Sequence, residues 1–212
     1  LKAVDLYLKK PEDERKPCMF VLDSLGMLST EKEITDALND KQVRDMTKSQ
    51  LIKGAFRMLT LKLGQANIPM IVTNHTYDVI GAYVPTKEMG GGSGLKYAAS
   101  TIIHLTKKKE KDGTAIIGNL IKAKTAKSRL SKENQDVTVR LYYDERGLDR
   151  YYGLLELGEL GGLWKNVAGR YEIDGKKVYA KAILKDPETY FTPDVMEKLD
   201  EIAKQTYSYG TN

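Results

Sequence analysis

The sequence predicts an α/β protein: a mainly parallel, twisted sheet flanked by helices, with an antiparallel hairpin extension and a small α/β domain at its C-terminal end. Three observations carry this. Two apolar runs, Met19-Phe20-Val21-Leu22 and Ile68-Pro69-Met70-Ile71-Val72-Thr73, flank a stretch with apolar residues four apart. That is the strand, helix, strand order of a right-handed parallel crossover. Asp112-Gly113 separates two further strand-like runs, as in a hairpin. Beyond residue 152 the pattern restarts, with a second Asp-Gly turn and a helix opened by Thr192-Pro193. The expected domains are therefore residues 1–152 and 153–212.

With 212 residues, 41% hydrophobic, and a formal charge of +5, the chain supports one good core plus a small appended unit. It contains no long apolar stretch for a membrane span, and no secretory leader is expected. A lone Cys18 beside the first strand suits a reducing compartment and is expected to pack. The basic excess is compatible with a polyanionic partner but is weak evidence alone. Leu1 is no initiator and the first confident element starts at Met19, so a segment is expected upstream.

The first strand runs directly into Asp23-Ser24. A carboxylate at a strand tip suits magnesium beside a triphosphate, and equally suits a strand-ending turn. Residues 32–44 are charged and weakly periodic; they read as a helix or loop carrying Lys41, Arg44 and Lys48 to one edge, or as a solvated face. Residues 47–64 read as a helix, with Thr47 and Gln50 as a capping box and Leu51, Ala55, Leu59 and Leu63 as its buried stripe. The second strand ends in Asn74-His75, at the carboxyl end of a strand, where open α/β sheets collect ligands.

Residues 76–93 show neither helical nor strand periodicity, and Gly90, Gly91, Gly92 and Gly94 favour neither. A long loop of this kind reads as a mobile ligand-binding loop. It is not a phosphate-binding G-x-x-x-x-G-K-[ST] loop, because Leu95 precedes Lys96 and Tyr97 stands where Ser or Thr would bind magnesium. Residues 95–100 form a short helix and 101–105 a buried strand holding a structural His104. Lys107, Lys108 and Lys109 belong to a solvated turn, residues 114–126 return antiparallel, 127–133 form an exposed basic connection, and 137–142 add a strand. In the final part, residues 163–168 are expected to be helical, and 171–173 and 178–180 a hairpin around Asp174-Gly175. A helix capped by Thr192 follows, with Val195, Leu199 and Ile202 as its stripe.

Taken in order, Val21-Leu22-Asp23-Ser24-Leu25-Gly26, Asn74-His75-Thr76-Tyr77, Met89-Gly90-Gly91-Gly92 and Lys127-Ser128-Arg129 resemble the RecA-type recombinases, above all those of T-even-type phages. The resemblance covers roughly residues 16–152, and residues 163–184 resemble the small C-terminal domain of bacterial RecA. It implies the C-terminal part of a RecA-like ATPase core. Asp23 would be the Walker B carboxylate near magnesium with Ser24 beside it, and Asn74 and His75 the sensor of the γ-phosphate. Thr76, Tyr77, Tyr83, Lys87, Met89, Gly90, Gly91, Gly92 and Gly94 would form the second DNA-binding loop, and Lys41, Arg44 and Lys48 the first. Lys127 and Arg129 would be cations reaching a neighbouring subunit's triphosphate; Lys122 and Lys124 offer the same spacing five residues earlier.

The implied cofactors are ATP and Mg2+. The implied partners are single-stranded DNA, homologous duplex, further copies in a helical filament, and single-strand-binding and mediator proteins, all in the bacterial cytoplasm with no membrane and with a phage-encoded gene. The chain departs from the family in having no G-x-x-x-x-G-K-[ST] and no catalytic glutamate, which the family carries upstream of Asp23. Alone it is expected neither to hold ATP tightly nor to hydrolyse it. A non-catalytic RecA-like paralogue or partner module, serving as a DNA-binding or regulatory subunit, is the alternative. A hexameric helicase of the same superfamily would not account for the Asn-His-Thr-Tyr and Met-Gly-Gly-Gly blocks.

Overall fold

The computed structural model describes residues 1–39, 47–78, 87–90, 92–173 and 175–210. These fall into two compact units, Leu1–Ala99 and Ser100–Asn212.

The first unit opens with α1 (Lys2–Leu8), which buries Val4 against Leu63, Ala66 and Ile68 and ties Asp5 to Lys62 at 2.6 Å. Next come β1 (Phe20–Leu22), α2 (Glu31–Leu38), α3 (Lys48–Ala66) and β2 (Met70–Val72). β1 and β2 pair in parallel, Phe20 opposite Met70 and Leu22 opposite Val72, as a strand, helix, strand unit requires. α3 buries Phe56, Leu63 and Ala66, with Ile52 and Leu59 half-buried, while Leu51 is 58% exposed. The buried stripe thus runs 52, 56, 59, 63, 66 and corrects the expected 51, 55, 59, 63. A strict four-residue spacing drifts about 40° per step around a helix of 3.6 residues per turn, whereas alternating fours and threes stay on one face.

Thr47 sits at the start of α3 in a helical conformation and its side chain does not cap the helix. The capping box belongs to α2, where Thr30 Oγ1 accepts from the Glu33 amide (3.1 Å) and Glu33 accepts from the Thr30 amide (3.1 Å). Cys18 is exposed, so the packing expected of it is not found. The glycine-rich region is not entirely loop: β3 (Thr76–Asp78) and β4 (Lys87–Met89) form an antiparallel pair with Thr76 opposite Met89, followed by α4 (Ser93–Ala98). Leu95 of α4 joins Leu25 and Phe56 in a second small core.

The second unit begins with a three-stranded antiparallel sheet, β5 (Thr101–Asp112), β6 (Ala115–Ser128) and β7 (Asp136–Tyr142), in the order β5-β6-β7. Lys107, Lys108 and Lys109 lie within β5 rather than in a turn; the reversal is the pair Gly113-Thr114, with Asp112 opposite Ala115. Lysines are compatible with β5 because it is an edge strand, where charge discourages further pairing. His104 sits half-buried on β5 opposite Lys124.

Then follow α5 (Leu154–Leu160), β8 (Lys165–Val167), β9 (Arg170–Ile173), β10 (Lys176–Tyr179), α6 (Ala180–Lys185), α7 (Pro187–Tyr190) and α8 (Pro193–Tyr207). Residues 163–168, expected as helix, contain strand β8 instead. Ala168 and Gly169, at φ +52° and +79°, make the two-residue reversal that pairs Val167 with Arg170, and such a reversal cannot continue a helix. The core joins Leu155, Trp164, Tyr171, Ile183, Phe191 and Leu199, and the Trp164 indole N–H donates to the Leu155 carbonyl at 2.7 Å. Pro193 opens α8 as expected; the Thr192 side chain makes no capping bond.

Candidate functional site

β1 and β2 end side by side, so their parallel register delivers two polar tips to one place. The Thr73 amide donates to Leu22 O and the Leu25 amide to Thr73 O, both at 2.9 Å, extending the pairing past the strands. Asp23 is exposed and Ser24 half-buried, with a cis peptide between them. Thr73 Oγ1 donates to Asp23 Oδ1 at 2.5 Å. This threonine was missed at sequence level; its only signal was its place between a β-branched run and Asn74.

One residue on, Asn74 Oδ1 accepts from the His75 amide (2.9 Å) and Asn74 Nδ2 donates to Gly90 O (2.7 Å), while the Gly90 amide donates to His75 O (3.2 Å). The Asn-His tip and the glycine cluster are therefore stapled at the root of the β3–β4 hairpin. A Cβ on Gly90 would lie 3.2 Å from the exposed Tyr77 ring and 3.5 Å from Asn74 Oδ1, a close approach that a larger residue would accommodate by moving the ring a few tenths of an ångström. A Cβ on Gly26 would meet the His75 ring at 3.6 Å and the Tyr77 hydroxyl at 3.9 Å, which places both side chains beside the turn that follows Asp23-Ser24.

Other expected residues have different surroundings. Lys48 pairs with Glu33 at 3.1 Å, so its charge is already engaged. Gly94 lies in α4 where a Cβ would come within 2.6 Å of the Lys53 side chain, a helix-packing constraint. Gly92 precedes α4 at φ +75°. Thr76 and Tyr77 are exposed, Met89 is half-buried, and Lys87 is described only through its strand pairing with Asp78. Lys41, Arg44, Tyr83 and Gly91 lie outside the described residues.

Lys127 and Arg129 belong to the second unit, at the end of β6 and just beyond it. The connection after them is organised rather than simply exposed: Ser128, 6% exposed, accepts at Oγ from the amides of Leu130 and Ser131. Lys122, mid-strand, is engaged by Asp136, whose carboxyl is held below its ordinary range mainly by the hydrogen bond from Lys122.

As a donor set, one carboxylate flanked by the Ser24 and Thr73 residues fits a hard octahedral cation that keeps water and phosphate ligands. Among the described residues no group of three or more His, Cys, Asp or Glu could hold a metal ion. No helix among them is long and apolar enough to cross a membrane.

The RecA N-terminal domain family matches residues 16–149. UvsX, the recombination and repair protein of Enterobacteria phage T4, is 40% identical over 151 residues, which are 71% of this chain and 38% of the phage protein. Protein RecA of Streptomyces coelicolor is 26% identical over 201 residues, 92% of this chain and 52% of that protein. Protein RecA of Chloroherpeton thalassium is 28% identical over 180 residues, 82% and 50% respectively. The chain thus spans about half the length, or less, of these relatives. The match runs from before Asp23 to past Arg129 and so takes in both strand tips, the stapled hairpin and the end of β6: this chain belongs to the RecA family of recombination and repair proteins.

Proposed function

We propose that this chain contributes the second half of the ATPase core of a homologous-recombination protein, one that assembles as a filament on single-stranded DNA and pairs it with homologous duplex. The observation that carries the reading is the staple between Asn74-His75 and Gly90. It joins the place where a nucleotide would be sensed to the β3–β4 strand pair, which is assigned to DNA. Bound ATP and Mg2+ supply a γ-phosphate, whose presence or loss is the signal. Asp23, held by Thr73, would orient the cation, with Ser24 beside it. His75 is exposed, and a ring N–H can donate to a phosphate oxygen.

A shift of His75 is transmitted through its own carbonyl and through Asn74 to Gly90, and so to β4. Thr76, Tyr77, Lys87, Met89 and the glycines are assigned to DNA, where backbone amides and exposed rings suit sequence-independent binding. Lys127 and Arg129 are assigned to a neighbouring copy's triphosphate, where two fixed cations would stabilise phosphate charge. Residues 153–212 form the proposed small C-terminal domain, a reading supported by a core drawn from residues 155–199.

Replacing His75 with Ala in the full-length gene product should remove most of the tightening of single-stranded-DNA affinity that ATP produces, about tenfold or more in a coupled system of this kind. Fluorescence anisotropy with and without nucleotide measures it. Equal tightening in wild type and variant would overturn the sensor assignment. A full-length product that never hydrolyses ATP in the presence of single-stranded DNA would instead identify a non-catalytic RecA-like module.

A further inference from the structure

The loop that carries Arg129 is tied at both ends. On the strand side the Arg129 amide donates to Ser100 O (3.0 Å), and Ser128 Oγ accepts from the amides of Leu130 (3.1 Å) and Ser131 (2.9 Å) and from Ser131 Oγ (3.0 Å). The Ser128 amide donates to Glu133 Oε1 (3.0 Å), which closes the turn on itself. On the far side the loop meets the end of α8. Ser131 forms an antiparallel bridge with Ser208, and the Lys132 amide donates to Tyr207 O (2.8 Å). The Lys132 ammonium donates to Thr206 O (3.0 Å) and Gln205 O (3.4 Å). Those carbonyls lie in the last turn of a 15-residue helix, where acceptors lack helical partners and the negative end of the dipole favours a cation.

We infer that α8 positions the Lys127/Arg129 pair through this clamp, with Lys132 as the positioning residue, so that the docking of the C-terminal helix regulates how those cations are presented. The inference rests on Lys127 and Arg129 being the interface cations. Only two residues separate Arg129 from Lys132, and the Ser128 hub makes the intervening turn stiff, so displacement of the helix end carries directly to the cations.

The test compares Arg129→Ala, Lys132→Met and Lys132→Arg in the full-length gene product, by single-stranded-DNA-stimulated ATP hydrolysis and by amide hydrogen exchange over residues 128–135 and 204–208. Lys132→Met is expected to speed exchange in both segments and to lower kcat roughly tenfold at little-changed KM, as misplacement of a charge-stabilising group does. Lys132→Arg should restore both. Faster exchange with unchanged kcat would make the clamp purely structural and overturn the inference, as would no change in either readout. If Arg129→Ala itself leaves hydrolysis intact, the interface assignment has failed instead, whatever the clamp does. Should Lys132→Met lose cooperative melting, Lys132→Gln, which keeps a donor, is judged on the same two readouts.

Discussion

Thr73 and Asn74 illustrate what a single side chain decides at the strand tips. Thr73 bonds Asp23, fifty positions away, and Asn74 bonds Gly90, sixteen away. Asp23 and the Asn74-His75 pair were legible because each follows an apolar run, and a polar residue there marks where the strand ends. Their partners were not, because hydrogen bonds across those separations depend on strand register, which local pattern leaves open. A titration prediction belongs at this scale. Arg146 hydrogen-bonds Asp144 and lowers its carboxyl from the ordinary 3.8 to about 2. A depressed carboxylate stabilises the fold above its ordinary value, and that contribution disappears as pH falls from 3.8 towards 2. The pair is exposed, so the contribution is small. Carboxyl-carbon NMR should place the Asp144 midpoint near 2, and Arg146→Gln should return it to the usual carboxylate range.

Helices and strands were recovered where an apolar run and its turn or cap signals were plain in the sequence. The β1–α3–β2 unit, the hairpin at Asp112-Gly113 and α8 all fall in that class. The misreadings came where a local signal had a competitor. Lys107, Lys108 and Lys109 look like a turn, yet sit on an edge strand held by pairing with β6. Residues 163–168 lack alternation, but the reversal at Ala168-Gly169 folds β8 onto β9 as a strand. The Thr47-Gln50 pattern reads as a capping box, yet the box that forms is Thr30 with Glu33, at the start of α2. Thr30→Ala should cost α2 about 1 kcal/mol, seen as roughly fivefold faster amide exchange in residues 34–38. Unchanged exchange there would mean that the box does not hold the helix start.

At the scale of the whole molecule, the first unit has one core around Val4 and another around Leu25, and the second unit has its core around Trp164 and Leu199. Leu199, 2% exposed, fills the centre of the second unit's core. Leu199→Ala should therefore destabilise that core by about 2–5 kcal/mol. Exchange should rise across residues 154–199 and stay unchanged in α3 and β2; a rise in both would show that the cores unfold as one. The sequence by itself determined the α/β class, the two strand tips with Asp23 and His75, the glycine cluster and the family, since each is written in contiguous residues whose chemistry is local. Tertiary structure alone decided that Thr73 holds Asp23, that Asn74 ties the second strand tip to Gly90, that Lys48 and Lys122 are already engaged, and that Lys132 caps α8. Each of those depends on groups distant in the chain meeting within hydrogen-bonding range, and only packing and strand register bring them there.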